Sequence, residues 1–356
     1  MRIKRLAVVL FNLGGPDGAA AVEPFLFNLF SDPAIVRLPN PLRWLIAKLI
    51  SRRRAPIARR IYQHLGGGSP LLANTKAQAQ ALEQALAGAA QEVRVFTAMR
   101  YWHPLSGETA AAVKAFAPDR ILLLPLYPQY STTTTASSAA AWRAGASSVG
   151  LSAPCQLVCC YPTDPGLVDA LAELARAGLA EAAAKVPAMM PRLIFTAHGL
   201  PERIAMAGGD PYVEHVVATC QAVGVRLGIG ADGWELAFQS RVGPMRWVGP
   251  YTDERIVEAA AAKQPIVLVP VAFVSEHSET LVELDIEYRK RALELGAPAY
   301  IRVPTVSTHP RFIRGLAEIV LNALEDGRGV VAFGRCSAQA HACPCRPAGP
   351  QTGETV

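Results

Sequence analysis

Apolar residues along the chain come in short unbroken runs, and between the runs they recur every three or four positions among alanines and polar residues. The unbroken runs fall at 6–13 (LAVVLFNL), 92–101 (EVRVFTAMRY), 120–129 (RILLLPLYPQ) and 156–162 (QLVCCYP), then at 191–199 (PRLIFTAHG), 233–240 (GWELAFQS), 265–274 (PIVLVPVAFV) and 299–306 (AYIRVPTV). Runs of this length without alternation predict strands buried on both faces, as in parallel sheets. Stretches such as 75–90, 108–117, 136–146 and 165–186 predict the helices that cover them. Two sets of four strands predict an α/β fold of two doubly wound units, residues 1–186 and 187–333, joined near the end of the 165–186 helix. Ligands of such sheets bind beyond the carboxyl ends of the strands, so the residues that close each strand are the first candidates for chemistry. After residue 333 the pattern stops, and 334–356 reads as a tail without a core.

At 356 residues, 51% hydrophobic and 18% charged, the chain is long enough for two domains with substantial cores. No apolar run approaches the roughly 20 residues that span a bilayer. The opening MRIKRLAVVLFNLGGPDG has the basic start and short apolar run of a signal peptide, but it leads into a Gly-Gly-Pro-Asp turn and lacks an Ala-x-Ala site. It is expected to be the first buried strand of a cytoplasmic protein. The net charge of +6 is concentrated: no acidic residue lies between Asp32 and Glu83, whereas Arg37, Arg43, Lys48, Arg52, Arg53, Arg54, Arg59, Arg60 and Lys76 do. In that segment Leu42, Leu45, Ile46, Leu49 and Ile50 share a helical face beside Trp44. Such a helix either lies in a membrane interface or packs its apolar stripe on the core. Nucleic acid fits poorly, because no recognition motif accompanies the charge.

Candidate chemistry gathers at the strand ends. His198 closes the 191–199 strand, where an imidazole either faces the crevice or is a core histidine held by a backbone carbonyl. LYPQYSTTTTASS (126–138) sets two tyrosines and a run of hydroxyls after another strand. Tyr62 and Ser69 flank Gly66 to Gly68, a triple glycine that either cradles phosphate or makes a turn; the Lys-Ser/Thr pair of a P-loop is missing. In SEHSETLVELDIEY (275–288), Ser275 is placed to cap a helix with Glu276, Glu279, Glu283 and Glu287 along one face and His277 at its first turn. Carboxylates stacked this way repel unless water, a cation or a proton intervenes, so the stripe handles metal or protons or is a solvated face. The seven cysteines are an odd number and no signal peptide precedes them, which argues against a disulfide framework and raises metal or cluster ligation.

FNLGGPD, GGGSPL, RYWHPL, LPLYPQYSTTT, FTAHGLPERI, FQSRVGPMRWVGPYTDE and VPVAFVSEHSETLVELDIEY, in this order over residues 11 to 288, resemble the ferrochelatase family, whose members insert Fe(II) into protoporphyrin IX in the last step of haem synthesis. The resemblance implies the chelatase fold, two Rossmann-like domains with a porphyrin cleft between them. It implies that His198 accepts a pyrrole proton or meets the metal, that Glu279 is its partner, and that His277, Glu276 and Glu283 belong to a polar helix conducting protons or metal. It places Leu13 near the ring centre; Tyr62, Ser69, Arg100, Tyr101, Tyr127 and Ser131 along the pocket and its propionate contacts; and Trp247 beside the macrocycle. Segment 42–60 falls in the lip that faces the membrane, which favours the interfacial reading of its helix. The chemistry suits these residues: two inner N–H protons must leave before four nitrogens can hold a divalent metal, and a neutral imidazole flanked by carboxylates supplies the base and the counter-charge.

The tail cysteines Cys336, Cys343 and Cys345 resemble those of family members that carry a [2Fe–2S] cluster on three C-terminal cysteines and one internal cysteine. The animal form has its internal ligand where this chain has Thr132, so Cys160 is expected in that role, with Cys159 and then Cys155 behind it. His341 is a further candidate ligand, spectator cysteines on a loose tail are the alternative, and Cys220 is expected to be a core thiol. A peripheral association with the cytoplasmic membrane and a homodimer complete the picture. The rivals are a coproporphyrin-specific ferrochelatase, a cobalt chelatase, a non-catalytic haem or metal carrier, and a periplasmic binding protein. The carrier would not need both His198 and Glu279, and the periplasmic protein would need a signal peptide.

Overall fold

A computed structural model describes residues 3–206, 209–241, 243, 245–334, 336–337 and 339–345; the first two residues of the signal-like opening and residues 346–356 of the expected tail lie outside this range. Among the described residues nine strands form two parallel sheets. The strands are β1 (Arg5–Asn12), β2 (Glu92–Met99), β3 (Arg120–Pro125), β4 (Cys155–Val158), β5 (Arg192–His198), β6 (Glu235–Gln239), β7 (Ile266–Pro270), β8 (Tyr300–Arg302) and β9 (Val330–Val331). One sheet runs β2-β1-β3-β4-β9 and the other β6-β5-β7-β8. Seven of the eight residues of β1 and all five of β7 are buried, the result of helices lying on both faces of each sheet. In both sheets the strand order reverses beside the first strand, so the crevice for ligand opens at the carboxyl ends of β1 and β3 and of β5 and β7.

The eight predicted strands are all present and one more is added. Residues 330–331, expected at the end of the second unit, pair with β4 of the first sheet. The helix Pro310–Asp326 brings the chain back by packing on the helix Pro165–Lys185 at a glycine crossing. A Cβ on Gly166 would stand 2.5 Å from the Arg311 carbonyl oxygen and 2.7 Å from the Gly315 Cα, so the two backbones approach this closely only without side chains. One apolar cluster runs through both units, from Leu6 and Leu124 through Leu171 to Phe195 and Val269.

The tail is not the loose appendage its sequence suggests. Phe333 N–H donates to the Cys160 carbonyl, continuing the β9 pairing, and the next residues fold down so that Ala340 and Cys343 are buried with Cys159, Cys160 and Tyr130. The packing partner is another part of the fold, which hydropathy within the tail does not reveal.

The basic amphipathic segment is the helix Asn40–Gln63, and it packs opposite to what a surface helix would do. Ala47, Ser51, Ala55 and Tyr62 form the buried face, against the helix Val22–Ser31. Trp44, Leu45, Leu49 and Ile57 are each 50% exposed or more. The reading in which the apolar stripe covers the core is therefore overturned: small residues at a four-residue spacing let the helices approach closely, and the large residues are left outside. No helix among the described residues is long and apolar enough to cross a membrane.

Candidate active site and thiol cluster

His198 is the last residue of β5 and sits on the crevice edge, its side chain 37% exposed. Its Nδ1 lies 2.6 Å from the Gly199 carbonyl oxygen. A carbonyl only accepts, so Nδ1 carries the proton and the Nε2 lone pair is turned toward Glu279, 3.7 Å from Oε1. The other carboxylate oxygen of Glu279 faces Nε2 of His277 at 3.6 Å. Nδ1 of His277 stands 3.1 Å from the Ser275 carbonyl oxygen, and the ring packs against Phe273. Glu279 is thus held between two imidazoles. Burial pushes its carboxyl up, but the two imidazoles outweigh this and hold it down at about 2. Burial likewise favours neutral His277, and Glu279 overrides it, so the imidazole titrates above its ordinary value.

Glu283 behaves oppositely. Its oxygens accept from the Ser240 N–H at 3.0 Å, the Ser240 hydroxyl at 2.5 Å and the Tyr288 hydroxyl at 3.0 Å. Burial raises its carboxyl, with the Glu279 charge acting in the same sense, so Glu279 stays ionised while Glu283 is the readier proton holder. Ser240 follows β6 at φ 65°, a left-handed backbone that points both its donors at Glu283. The sequence carried no signal for it.

Two details differ from the acidic helix expected at 275–288. The segment Glu279–Glu287 is a π-helix rather than an α-helix, a form that recurs at functional sites. It starts too late for Ser275 to cap it. The Ser275 hydroxyl donates instead to Gln78 Oε1, and Gln78 donates in turn to the carbonyls of Val274 and Ser307. Asn74 adds a bond to the Glu276 carbonyl, so the helix Leu71–Ala85 of the first unit clamps the loop that delivers His277 and Glu279. Glu276 lies in this loop, not on the helix, and its carboxylate is taken up by Arg302 at 2.6 Å and the Thr305 N–H. Glu287 is exposed and apart from the group.

The pocket residues drawn from the first unit divide into two groups. Tyr62 is buried and its hydroxyl meets Ser278, just before Glu279; burial, with the Glu279 charge contributing, raises that hydroxyl. Leu13 is half-buried at the end of β1, and Ser69 follows the triple glycine, where its N–H donates to the Pro16 carbonyl in a turn packed on Asp17. Trp247 lies 6.2 Å from the His198 ring. By contrast, Arg100 and Tyr101 turn to Asp32: the guanidinium is 2.7 Å and the tyrosine hydroxyl 2.8 Å from Oδ2, with Ser137 donating to the same oxygen. Ser131 is likewise committed, donating to Asp210 at 3.0 Å beside Thr132 at 2.7 Å. The indole N–H of Trp102 is buried with no hydrogen-bond partner among the described residues, and the buried Tyr127 hydroxyl has Ser138 beside it. Asp32 and Asp210, both missed from sequence, are buried acids whose clue was an isolated charge among apolar and hydroxyl neighbours. Two surface grooves, of about 430 and 600 Å³, lie elsewhere and contain none of these residues.

The second constellation is sulfur. Cys159 and Cys160 are fully buried just after β4, against Cys336, Cys343 and Cys345 of the tail. Cys336 and Cys343 sulfurs are 3.0 Å apart, and Cys159 and Cys343 3.8 Å. The thiols stand close enough to share protons, so they titrate as one coupled group. His215 also reaches this group, with Cys160 and Cys336. Cys155 is exposed at the start of β4 and outside the cluster, and Cys220 is buried in the apolar core. His341 is exposed.

The sequence profile described as ferrochelatase matches residues 5–324. The chain belongs to the ferrochelatase family. It is 51% identical to the ferrochelatase of Phenylobacterium zucineum over 349 residues, covering 97% of this chain and 99% of that one. Against the ferrochelatase of Caulobacter vibrioides (strain NA1000 / CB15N) it is 50% identical over 348 residues, covering 96% and 98%. Against that of Pelagibacter ubique it is 44% identical over 345 residues, covering 95% and 98%. Among solved structures, SirB from Bacillus subtilis with Fe3+ matches at a TM-score of 0.50 and 12% identity over 91% of this chain and 95% of that one, a likeness of fold.

The depressed Glu279 carboxyl has a consequence for a ferrochelatase of this geometry. A carboxyl whose folded value lies below its ordinary 4.5 contributes stability that is present above 4.5 and lost as pH falls toward 2. The stability advantage of the wild type over Glu279→Gln, measured by urea unfolding, is expected to shrink by about 1.4 kcal/mol between about pH 5.5 and about pH 3.5. An advantage that stays constant over this range would mean that the imidazoles do not hold the carboxylate.

Proposed function

We propose that the chain carries out its family's reaction, insertion of Fe(II) into protoporphyrin IX to give haem, with His198 as the base and Glu279 as its counter-charge. The observation that carries this assignment is the ring orientation: Nδ1–H is committed to the Gly199 carbonyl, so the basic Nε2 is the nitrogen turned to the crevice. As a pyrrole proton leaves for Nε2, the imidazolium forms beside a carboxylate that is already ionised and desolvated, so little reorganisation accompanies the charge. Protons leaving His198 pass to the more basic Glu283, while Glu279 stays ionised beside His277 and attracts Fe(II). Leu13 and Trp247 supply apolar contact to the macrocycle and Tyr62 closes it against Glu279. The adjacent Tyr127 and Ser138 hydroxyls are donors suited to carboxylate groups of the porphyrin, with Arg100 behind them.

The exposed Trp44, Leu45, Leu49 and Ile57, set among arginines and Lys48, fit peripheral attachment to an anionic membrane surface, from which an apolar substrate can be delivered. The five clustered thiols fit a [2Fe–2S] cluster: they are soft donors, four are needed, and Cys336, Cys343, Cys345 and Cys160 would hold it. Cys159, close to Cys343, is the alternative to Cys160. Bound there, a cluster supplies a one-electron couple and cross-links the tail to the core.

Three measurements test this reading. His198→Ala is expected to lower iron insertion about a hundredfold or more while porphyrin still quenches tryptophan fluorescence; near wild-type turnover would remove His198 from proton transfer. Anaerobically purified protein should be coloured and give a paramagnetic signal on reduction, both absent in Cys343→Ser; a colourless wild type would reject the cluster. Leu45→Asp with Leu49→Asp should weaken binding to anionic liposomes about tenfold or more, and unchanged partitioning would return that face to a purely structural role.

A further inference from the structure

We propose that His215 is a positioning residue for the thiol-bound metal centre, donating its Nε2–H to the Cys336 sulfur and raising the reduction potential of the cluster; this rests on the [2Fe–2S] reading above. His215 is 1% exposed on the helix Tyr212–Leu227 of the second unit, whereas the internal cysteines belong to the first. The Tyr130 backbone N–H donates to its Nδ1 at 3.2 Å. A ring nitrogen that accepts an N–H bears no proton, so the neutral imidazole carries its proton on Nε2. That nitrogen stands 3.3 Å from Cys336 Sγ.

The same bond decides between two roles for the ring. Cys160, His215 and Cys336 are grouped closely enough to share a metal ion. A metal-bound imidazole, however, binds through a bare nitrogen and commonly donates its other N–H to an acceptor. Tyr130 imposes the reverse arrangement, and five thiols already exceed the four positions of a [2Fe–2S] cluster. The ring is a donor to a ligand, not a ligand. Reduction adds a negative charge that is spread over the sulfurs, and an N–H aimed at one of them stabilises the reduced form more than the oxidised one.

The ring is also fixed on several sides. The Tyr130 hydroxyl donates to the Ala342 carbonyl at 2.9 Å, next to Cys343, and the Ser337 N–H donates to Glu214 at 2.9 Å, next to Cys336. Tyr130 and Glu214 therefore hold the tail at Ala342 and Ser337, and the helix that carries His215 cannot turn away from the sulfur without breaking these bonds.

The test uses anaerobically purified full-length wild type, His215→Leu and His215→Gln, with cluster content from visible absorption and the potential from a redox titration followed by electron paramagnetic resonance. All three are expected to hold the cluster. The leucine variant, which has no donor, should shift to a lower potential, and glutamine, which can accept from Tyr130 and donate to Cys336, should restore the wild-type value. A His215→Leu protein at the wild-type potential overturns the inference, as does loss of the cluster from both variants with unchanged thermal melts, which would make His215 a ligand. Pulsed resonance on the reduced wild type decides independently of any variant: weak nitrogen coupling from a hydrogen-bonded ring is expected, and strong coupling from a bound one contradicts it. A wild type without a cluster overturns both readings together, whereas a failure confined to His215 leaves the cluster standing.

Discussion

The Glu279 carboxylate, desolvated and set between the Nε2 atoms of His198 and His277, is the constraint on which the rest of the site depends. Taking a lone carboxylate out of water is unfavourable enough that it would normally protonate, and a protonated Glu279 could offer no counter-charge to an imidazolium. A protonated His277, which titrates above its ordinary value beside Glu279, reverses that outcome, and His198 adds to it once its Nε2 has taken a proton. Each imidazole is oriented by a backbone carbonyl on its far nitrogen, Gly199 for His198 and Ser275 for His277, so the trio is fixed by main chain rather than by long side chains. Glu283, held by Ser240 and Tyr288, takes the opposite protonation preference from the neighbouring charge. Two carboxylates with diverging proton affinities stand next to an imidazole of fixed tautomer, an arrangement suited to the proposed proton and metal chemistry.

Holding that trio requires both units. The loop that delivers His277 and Glu279 is clamped by Asn74 and Gln78 of the first unit, and Tyr62 adds a contact to Ser278. On the opposite side Asp210 and His215 of the second unit bind Ser131, Thr132 and Tyr130 of the first. The β9 strand and the tail then tie the far edge of the first sheet to the second unit. Such cross-bonds hold the two sheets together at the site; the basic helix Asn40–Gln63 joins them at its end through the buried Tyr62, while its Trp44, Leu45, Leu49 and Ile57 stay exposed.

Much of this was legible in the sequence. Eight apolar-rich runs correspond to eight strands, and the signature is most continuous where the strand is buried on both faces, as in β1 and β7. His198, Glu279, His277 and Glu283 do converge, and the cysteines separated by about half the chain do cluster. What remained hidden was long-range. β9 is two residues long, the tail's partners lie far away in sequence, and the outward stripe of Leu45 and Leu49 looks identical to an inward one until a neighbouring helix is seen to prefer Ala47 and Ser51. The π-helix at Glu279–Glu287 escaped because the spacing of carboxylates at three and four positions suits an α-helix equally well. Asp32, Asp210, Gln78 and Ser240 carry no motif; their roles come only from what the fold sets beside them.

The most direct test of the central claim is the protonation of the His198 ring itself. Long-range nitrogen–proton correlation spectra of protein labelled at its 7 histidines, with His198 assigned by comparison with His198→Ala, report which ring nitrogen bears hydrogen. The account predicts Nδ1–H with a bare Nε2 in the resting protein at alkaline pH. A proton found on Nε2 with Nδ1 bare would mean that the nitrogen facing the crevice cannot accept one from a porphyrin, and would contradict His198 as the base.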